Sequence, residues 1–334
     1  MKLSTTLLTA RSKSKSKYYN LIAVLLLLSL AVVSLFVGKY HLSLEKLLVG
    51  DPMQWRVFIT LRCSRTLVGL IGGFVLGVSG YVYQTVFRNP LASPDIIGVS
   101  SGASAGAAVG ILFFSGAAFV TVLSFAGAVT AVVLALGLSS LDRSGKHQTV
   151  VLAGIAVHSL AQTALMALKL AADPDQELAA IEYWIMGSLN GISAYSIGGN
   201  LILGLVCVAV LLFLHRQIVL LSAEEGEAKM LGVPVKQLRL WVLLIATLAV
   251  AAVVSLTGLI SFVGLLAPHA ARMLNRNNKT ATMVLSGTIG GILLCGADIL
   301  ARSVAVTELP VSIFTSLIGA PFLVVLIIRG RRKI

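Results

Sequence analysis

Long uninterrupted apolar runs are the feature that most constrains how this chain folds. One run extends from Leu21 to Val37 and another from Leu240 to Val254. A membrane-spanning helix needs about 20 mostly apolar residues, whereas a membrane-spanning β-strand shows a short segment of alternating polarity. Apolar residues make up 57% of the 334 residues and charged residues 12%, which excludes a sizeable water-soluble domain. The sequence predicts an all-α, polytopic membrane helical bundle.

The apolar runs divide into about ten transmembrane helices joined by short connections. We expect one transmembrane domain over residues 20–330, flanked by cytoplasmic tails at 1–19 and 331–334. Two pairs of spans are separated only by Gly116 and by Thr257-Gly258. The predicted spans are 20–37, 66–86, 97–115, 117–139, 149–171, 198–215, 237–256, 258–274, 281–300 and 311–328.

The basic residues indicate the orientation of these spans. With the N-terminus inside, 19 of the 26 Lys and Arg residues fall on the cytoplasmic side, as the positive-inside rule requires. Both termini are then cytoplasmic. The formal net charge of +13 is therefore explained by membrane topology and does not indicate nucleic-acid binding.

Glycines repeat at four-residue intervals in three spans. Small residues at this spacing let helix backbones approach closely, so the repeats predict packing seams; the alternative is that they line a moving interface. The residues are Gly69, Gly73 and Gly77, then Gly102, Gly106 and Gly110, and finally Gly287 and Gly291.

The sequence offers no catalytic or metal site. Gly145-Lys146 lacks the upstream glycine and the Ser or Thr of a phosphate-binding loop. Cys63, Cys207 and Cys295 are scattered without the spacing of metal ligands, which favours structural roles. We predict that the chain is not an enzyme and holds no cofactor or metal of its own.

Ionisable residues inside the spans are also few. Lys169, Asp298 and Arg302 lie near predicted span ends, where we expect their side chains to extend towards water. His158 either packs in the bundle or faces a pathway. An ion-coupled transporter usually needs Asp, Glu or His in mid-span, so the sequence favours a pathway driven by another protein. An ion-coupled secondary transporter, a passive channel and a membrane scaffold are the alternatives.

The loop between the sixth and seventh spans predicts a short helix at the inner surface. Ser222 and Glu225 form a capping box, and Gly232 followed by Pro234 gives a helix stop. The segment 222–236 is either a membrane-surface helix or a docking element for a cytoplasmic motor.

Several blocks resemble one transporter family in the right order along about 20–330. Residues 88–98, Arg-Asn-Pro-Leu-Ala-Ser-Pro-Asp-Ile-Ile-Gly, carry the strongest likeness. Further blocks lie at 184–189, 231–233, 258–269, 297–302, 308–310 and 319–321. The chain resembles the FecCD-type permease subunits of binding-protein-dependent ABC importers for iron siderophores, haem and cobalamin.

This resemblance implies a permease subunit in a multi-pass bacterial inner membrane, working by alternating access along a pathway that includes spans 5 and 10. The implied partners are a second permease subunit, identical or paralogous, two cytoplasmic ATPase subunits that hold ATP and Mg, and an extracytoplasmic substrate-binding protein. The implied contacts to the ATPase are Ser222, Glu225, Ala228, Leu231, Gly232, Val233 and Pro234. The implied signature-loop and pathway residues are Arg88, Asn89, Pro90, Gly98, Trp184, Gly187, Pro268, His269, Glu308 and Pro310.

Three outer arginines match the family's docking positions. By resemblance, Arg62, Arg65 and Arg302 would pair with acidic residues of the binding protein, and we expect them to stand as rim charges that set register and on-rate. Simple interfacial placement is the alternative.

Three departures from the family pattern affect this expectation. Cys63-Ser64 replaces Leu-Pro between the first two arginines, residues 275–279 replace an inner turn, and Ser312 replaces a glycine. The Ser93-Pro94-Asp95 block and residues 187–191 look closer to siderophore permeases than to the cobalamin one. The resemblance therefore implies a ferric siderophore or similar iron chelate as substrate, with haem or cobalamin as the alternative.

Overall fold

The computed structural model describes residues 2–114, 116–141, 147–192, 194–222, 234–275, 280–305 and 307–331. All regular structure in these ranges is helical. The longer helices are α1 (Lys2–Phe36), α4 (Ser64–Val86), α5 (Val99–Phe113), α6 (Ala117–Leu141), α7 (His147–Ala171), α9 (Ala194–Phe213), α11 (Val235–Thr257), α12 (Val263–Leu274), α13 (Thr280–Ala301) and α14 (Val311–Arg331). The short helices are α2 (Leu44–Leu48), α3 (Pro52–Val57), α8 (Glu177–Ile185) and α10 (His215–Leu220), with a π-helical segment Phe58–Cys63 and a 3₁₀ helix Pro94–Ile97.

Each of the ten predicted spans overlaps one of the ten longer helices, but the eighth, predicted over 258–274, is helical only over Val263–Leu274. Among the described residues, six helices are long and apolar enough to cross a membrane, and Val99–Phe113, Ile197–Phe213 and Val311–Leu326 are shorter apolar helices. The breaks expected at Gly116 and Gly258 are both present, with φ angles of 122° and 68°. Glycine is favoured at such angles because it has no Cβ.

The glycine repeats are packing seams, as the more conservative interpretation predicted. A Cβ on Gly73 of α4 would lie 2.7 Å from Gly291 Cα of α13. A Cβ on Gly102 of α5 would lie 2.5 Å from the Gly127 carbonyl oxygen of α6. Backbones at this separation leave no room for a side chain, so these helix pairs are held by direct backbone contact.

The second span differs from its prediction at the outer end. Helical structure is continuous from Pro52 to Val86, whereas the predicted span begins only at residue 66, after Arg62 and Arg65. Asp51 begins this structure by accepting a hydrogen bond from the backbone N–H of Met53 at 2.9 Å, and Pro52 occupies the first turn, where its missing N–H costs nothing. Ser64 stands where the family has proline, so the helix continues unbroken through this position.

Candidate functional site

A buried cluster of charged side chains lies at the outer end of the bundle. Arg65 Nε lies 2.7 Å from Asp298 Oδ1, and Arg65 Nη1 lies 2.7 Å from Glu308 Oε2. Arg302 Nη2 lies 3.3 Å from Asp298 Oδ2 and also donates to the hydroxyl of Ser34 in α1. The outer network, as we call these five residues, joins α1, α4, α13 and the loop before α14.

The outer network corrects two expectations from the sequence. Asp298 and Arg302 do not extend towards water, since they are only 1% and 3% exposed. Arg62, Arg65 and Arg302 are likewise buried and are not exposed rim charges in the isolated chain. The sequence could not show this, because the carboxylates that draw Arg65 inwards follow it by more than 200 residues. The docking role of the arginines stays a prediction.

The outer network contains donors without acceptors. Arg65 Nη2 and Arg302 Nε and Nη1 are buried and have no hydrogen-bond partner among the described residues. Arg62 lies beside this group and donates to the carbonyls of Val37 and Tyr40. Burial lowers the pKa of the Arg302 guanidinium, although the Asp298 carboxylate opposes this shift. When Arg62 is counted with the outer network, three guanidiniums lie near two carboxylates, which leaves one positive charge unbalanced.

The signature residue Gly187 lies at an outer junction of three helices. Its carbonyl accepts from the N–H of Val311 at 2.9 Å, and the next residue, Ser188, donates to the Thr257 carbonyl at 2.7 Å. A Cβ on Gly187 would lie 2.8 Å from the carbonyl carbon of Leu259. The junction therefore ties the end of α8 to the end of α11 and the start of α14. Pro310, which precedes α14, is buried beside this contact.

Ser312, which replaces a glycine of the family pattern, strengthens the same junction. Its hydroxyl donates to the Leu259 carbonyl at 2.6 Å and accepts from the N–H of Ser261 at 3.4 Å. A glycine could form neither bond.

Next to the junction lies an outer cavity of about 320 Å³ whose lining includes Tyr183, Trp184 and Asn190. The signature residue Trp184 thus belongs to a cavity wall at the outer face.

Two signature residues shape the chain after α4. Arg88 has a φ of 50°, and its Nε and Nη2 atoms lie 3.4 Å from the carbonyl oxygen of Leu221. The Asn89 side chain accepts a hydrogen bond from the N–H of Leu91 at 2.9 Å, which closes a local turn around Pro90. Arg88 therefore contacts the residue immediately before the predicted coupling segment.

Little of the coupling segment itself falls within the described ranges. Ser222 is described, and its hydroxyl donates to the Val219 carbonyl at 2.6 Å. Pro234 immediately precedes α11. The remaining predicted contacts, Glu225, Ala228, Leu231, Gly232 and Val233, lie outside the described residues.

The signature residues of α12 face two neighbouring helices. Pro268 is buried inside α12, and the His269 ring packs edge-on against Phe322 of α14 with ring centroids 5.6 Å apart. Arg272 Nη1 donates to the Gln84 side chain at 2.7 Å, Nη2 donates to the Thr85 hydroxyl at 2.8 Å, and the guanidinium lies over the Tyr81 ring. Arg272 thus fastens α12 to the inner end of α4.

The segment after Pro90 turns back into the bundle, which the sequence did not predict. A Cβ on Gly264 of α12 would lie 3.4 Å from the Leu76 carbonyl oxygen and 3.7 Å from Pro94. Leu76 precedes the inner end of α4 by ten residues, or about 15 Å of helix. A Cβ on Gly154 of α7, about 10 Å from that helix's inner end, would lie 2.9 Å from Ile97 Cα. The 3₁₀ helix therefore lies at membrane depth, and α5 begins there at Gly98.

A cavity of about 290 Å³ lies between this 3₁₀ helix, α11 and α12. Its polar lining comes from Ser93, Asp95, Ser100 and Ser261, and its apolar lining includes Leu76 and Phe262. We call it the inner pocket. No group of His, Cys, Asp and Glu side chains suited to a metal ion occurs in the part of the chain that the structure describes.

Comparison with known proteins identifies what this arrangement resembles. The family model described as the FecCD transport family matches residues 25–329. The molybdate import system permease protein of Haemophilus influenzae is 34% identical over 320 residues, covering 92% of this chain and 94% of that protein. The hemin transport system permease protein of Yersinia pestis is 35% identical over 325 residues, covering 93% and 95%. A solved metal-chelate type ABC transporter in an inward-facing conformation matches with a TM-score of 0.83 at 33% identity, covering 93% of this chain and 98% of that one.

Proposed function

The chain belongs to the FecCD transport family, and from this premise we propose that it carries a ferric siderophore or similar iron chelate into the cytoplasm. It is a multi-pass membrane permease subunit of an ABC importer of the metal-chelate type. We further propose that residues 20–330 form one permease domain. The observation that carries the proposal is the family match over 25–329, together with a bundle in which every predicted span overlaps a helix.

The driving force would come from a partner ATPase that hydrolyses ATP with Mg. The segment 222–236 would dock on it, and Arg88 offers a route for the movement, since its guanidinium contacts the Leu221 carbonyl. A displacement of 222–236 would pull on Arg88 and hence on the segment that turns into the bundle. Repeated between two permease subunits, this movement would open the pathway alternately to each side.

The outer network would be the place where the substrate-binding protein docks. The positive charge of the neighbouring Arg62 and the network's own donors without acceptors suit an incoming carboxylate, because a buried cation is stable only when it is paired. An acidic side chain of the binding protein would complete the set of hydrogen bonds. Glu308 lies at the edge of the network and is more exposed than Asp298, so it is the carboxylate that could be displaced.

The choice of an iron chelate rests on sequence likeness. The block Ser93-Pro94-Asp95 resembles siderophore permeases more than the cobalamin one. Relatives are named for molybdate and for hemin, so the family carries cargoes of different charge and size. Haem and cobalamin are the alternative substrates.

Reconstitution tests the proposal against an ion-coupled transporter. The chain would be co-expressed with its partner ATPase and substrate-binding protein and placed in liposomes containing ATP. We expect uptake of a ferric chelate that requires ATP and is lost when Gly232 or Glu225 is substituted, together with loss of ATPase co-purification. Full uptake without any ATPase would contradict the proposal.

A further inference from the structure

Among the described residues that line the inner pocket, Asp95 is the only one with an acidic side chain. This carboxylate accepts a hydrogen bond from the Ser100 hydroxyl, and within the described ranges no Lys, Arg or His forms an ion pair with it. It is an exposed residue on a segment that lies at membrane depth. An unpaired carboxylate at this depth is costly unless it faces water or a passing solute, so it marks a pathway.

The other polar groups of the pocket are available to a ligand. The Ser93 side chain does not cap the 3₁₀ helix that it precedes, and Ser261 uses its backbone, through its N–H to Ser312 and its carbonyl to Val263, for the local contacts. Hydroxyls from two separate segments thus flank one carboxylate. Such a set accepts hydrogen bonds from ammonium, amide N–H or hydroxyl groups.

The position of the pocket connects it to the transport pathway. The 3₁₀ helix packs on α7 at Gly154, and Phe262 in the pocket wall meets α14, since a Cβ on Gly319 would lie 2.7 Å from the Phe262 Cβ. By family resemblance α7 and α14, which correspond to spans 5 and 10, are among the helices that line the pathway. Phe262 itself has a φ of 66°, a strained angle for an aromatic residue that the surrounding packing has to maintain.

The volume of the pocket limits what it can hold. At about 290 Å³ it lies at the lower limit of about 300 Å³ for cavities that bury a drug-sized ligand. A ferric chelate with a complete organic shell is larger than this. The pocket therefore accommodates one arm of such a molecule and not the whole.

We propose that the inner pocket is a subsite of the transport pathway that accepts a cationic or hydrogen-bond-donating arm of a chelate and selects against anionic cargo. The proposal rests on the transport function proposed above and makes it more specific. Asp95 attracts an ammonium group and repels an oxyanion or a polyanionic chelate, because like charges brought together in a site of low dielectric are strongly unfavourable. The substrate class is then a neutral or cationic iron chelate.

The first test measures the electrostatic selectivity of the pocket without any transport. In the assembled complex with Cys63, Cys207 and Cys295 replaced, Ser93→Cys and Ser261→Cys are labelled with cationic and anionic methanethiosulfonate reagents. We expect the ratio of cationic to anionic labelling rates to fall about tenfold when Asp95→Asn is added, as the loss of one close charge pair implies. The same ratio at Ser303→Cys, in the exposed outer loop, should not change.

The second test measures selectivity in transport with a matched set of cargoes. Ferrioxamine B carries a free ammonium, its N-acetyl derivative is neutral, and its N-succinyl derivative is anionic, all around the same iron centre. We expect ATP-driven uptake to favour the cationic form over the anionic form, and Asp95→Asn to reduce that preference about tenfold. Asp175→Asn, which removes an exposed carboxylate of the outer loop, is the control.

The two tests separate failure of the subsite from failure of the transport function. Labelling ratios that do not respond to Asp95→Asn, or thiols at 93 and 261 that no reagent reaches, would overturn the subsite. An unchanged cargo preference in an active Asp95→Asn complex would overturn it as well. If the unsubstituted complex carries no chelate but its labelling ratio responds to Asp95→Asn, the transport proposal fails while the charge selectivity of the pocket stands.

Discussion

Arg65 Nε and Asp298 Oδ1 lie 2.7 Å apart although the residues are separated by 233 positions in the chain. This ion pair fixes the outer end of α4 to the outer end of α13, while the glycine seam between the same helices packs their middles. Close backbone packing and a buried ion pair impose different requirements, since the first needs small residues and the second needs matched charges. Together they make the pair of helices the rigid centre of the subunit.

Removing Asp298 should destabilise the subunit strongly. Asp298→Ala leaves Arg302 buried without its carboxylate partner and leaves Arg65 paired with Glu308 alone. Breaking a buried ion pair in this way lowers the free energy of unfolding by about 3–5 kcal/mol. Thermal unfolding of the purified subunit should show a clear loss of Tm. Lys169→Met, which breaks a half-exposed pair with Glu182, should cost about 0–1 kcal/mol. Equal losses in the two variants would contradict the buried role of Asp298.

A methyl group should be tolerated at one glycine and rejected at another in the same pair of helices. Gly73→Ala places a Cβ against the α13 backbone, 2.7 Å from Gly291 Cα, and must push the helices apart. Gly296→Ala on α13 meets nothing within 4 Å and should be neutral or stabilise by about 0.5–1 kcal/mol. Yield of folded subunit by size-exclusion chromatography distinguishes the two. Normal yield of Gly73→Ala would show that the seam can open.

The junction at Gly187 should depend on close contact as well as on backbone angle. Gly187 and Gly191 have similar φ angles of 68° and 75°, but only Gly187 has atoms within 4 Å of its Cβ position. Both Gly→Ala changes carry a backbone cost of about 1–2 kcal/mol, and Gly187→Ala should lose further stability and uptake because it separates α8 from α11. If the two variants lose the same stability, the contact with Leu259 is unimportant.

Replacing Arg272 by lysine should lower the stability of the subunit. The guanidinium donates to two side chains of α4 and lies 4.9 Å from the centre of the Tyr81 ring, a geometry that one ammonium cannot reproduce. Arg272→Lys should lower the free energy of unfolding by about 1.5–3 kcal/mol, the range for hydrogen bonds to a charged group. Arg56→Lys at an exposed position should be within about 0.5 kcal/mol of the original chain.

Docking of the binding protein should be sensitive to salt and to Arg62. Arg62→Gln removes one positive charge beside the outer network and should slow association of the binding protein. The difference in association rate between this variant and the original chain should be largest at low ionic strength, because salt screens the attraction between charges. Surface plasmon resonance on the subunit in nanodiscs measures this directly. Unchanged association at low salt would remove Arg62 from the docking surface, and parallel unfolding curves show whether the variant is intact.

The ten helices were predictable from the sequence because a bilayer demands continuous apolar segments and because Gly116 and Gly258 interrupt them visibly. The depth of Asp95 was not, since it is set by the contacts of the 3₁₀ helix with α7 and α12, which are distant in the sequence. Burial of Arg65 was equally hidden, because both of its carboxylate partners belong to the far end of the chain. Short-range patterns reveal where helices stop, whereas long-range pairing decides which charges water can reach.

The π-helical segment Phe58–Cys63 has a consequence for how this subunit tolerates change in length. A π turn contains one residue more than an α turn, so the segment accommodates one extra residue while the helix on either side keeps its rotational phase. Deleting a single residue there would convert the segment to α-helix and leave the outer stub, with Asp51 and Trp55, on nearly the same side of the axis. The 23 inner residues of α4 would remain in register with α13. The subunit thus has a point at which its extracytoplasmic stub can lose one residue while both the direction of the stub and the membrane core stay as they were.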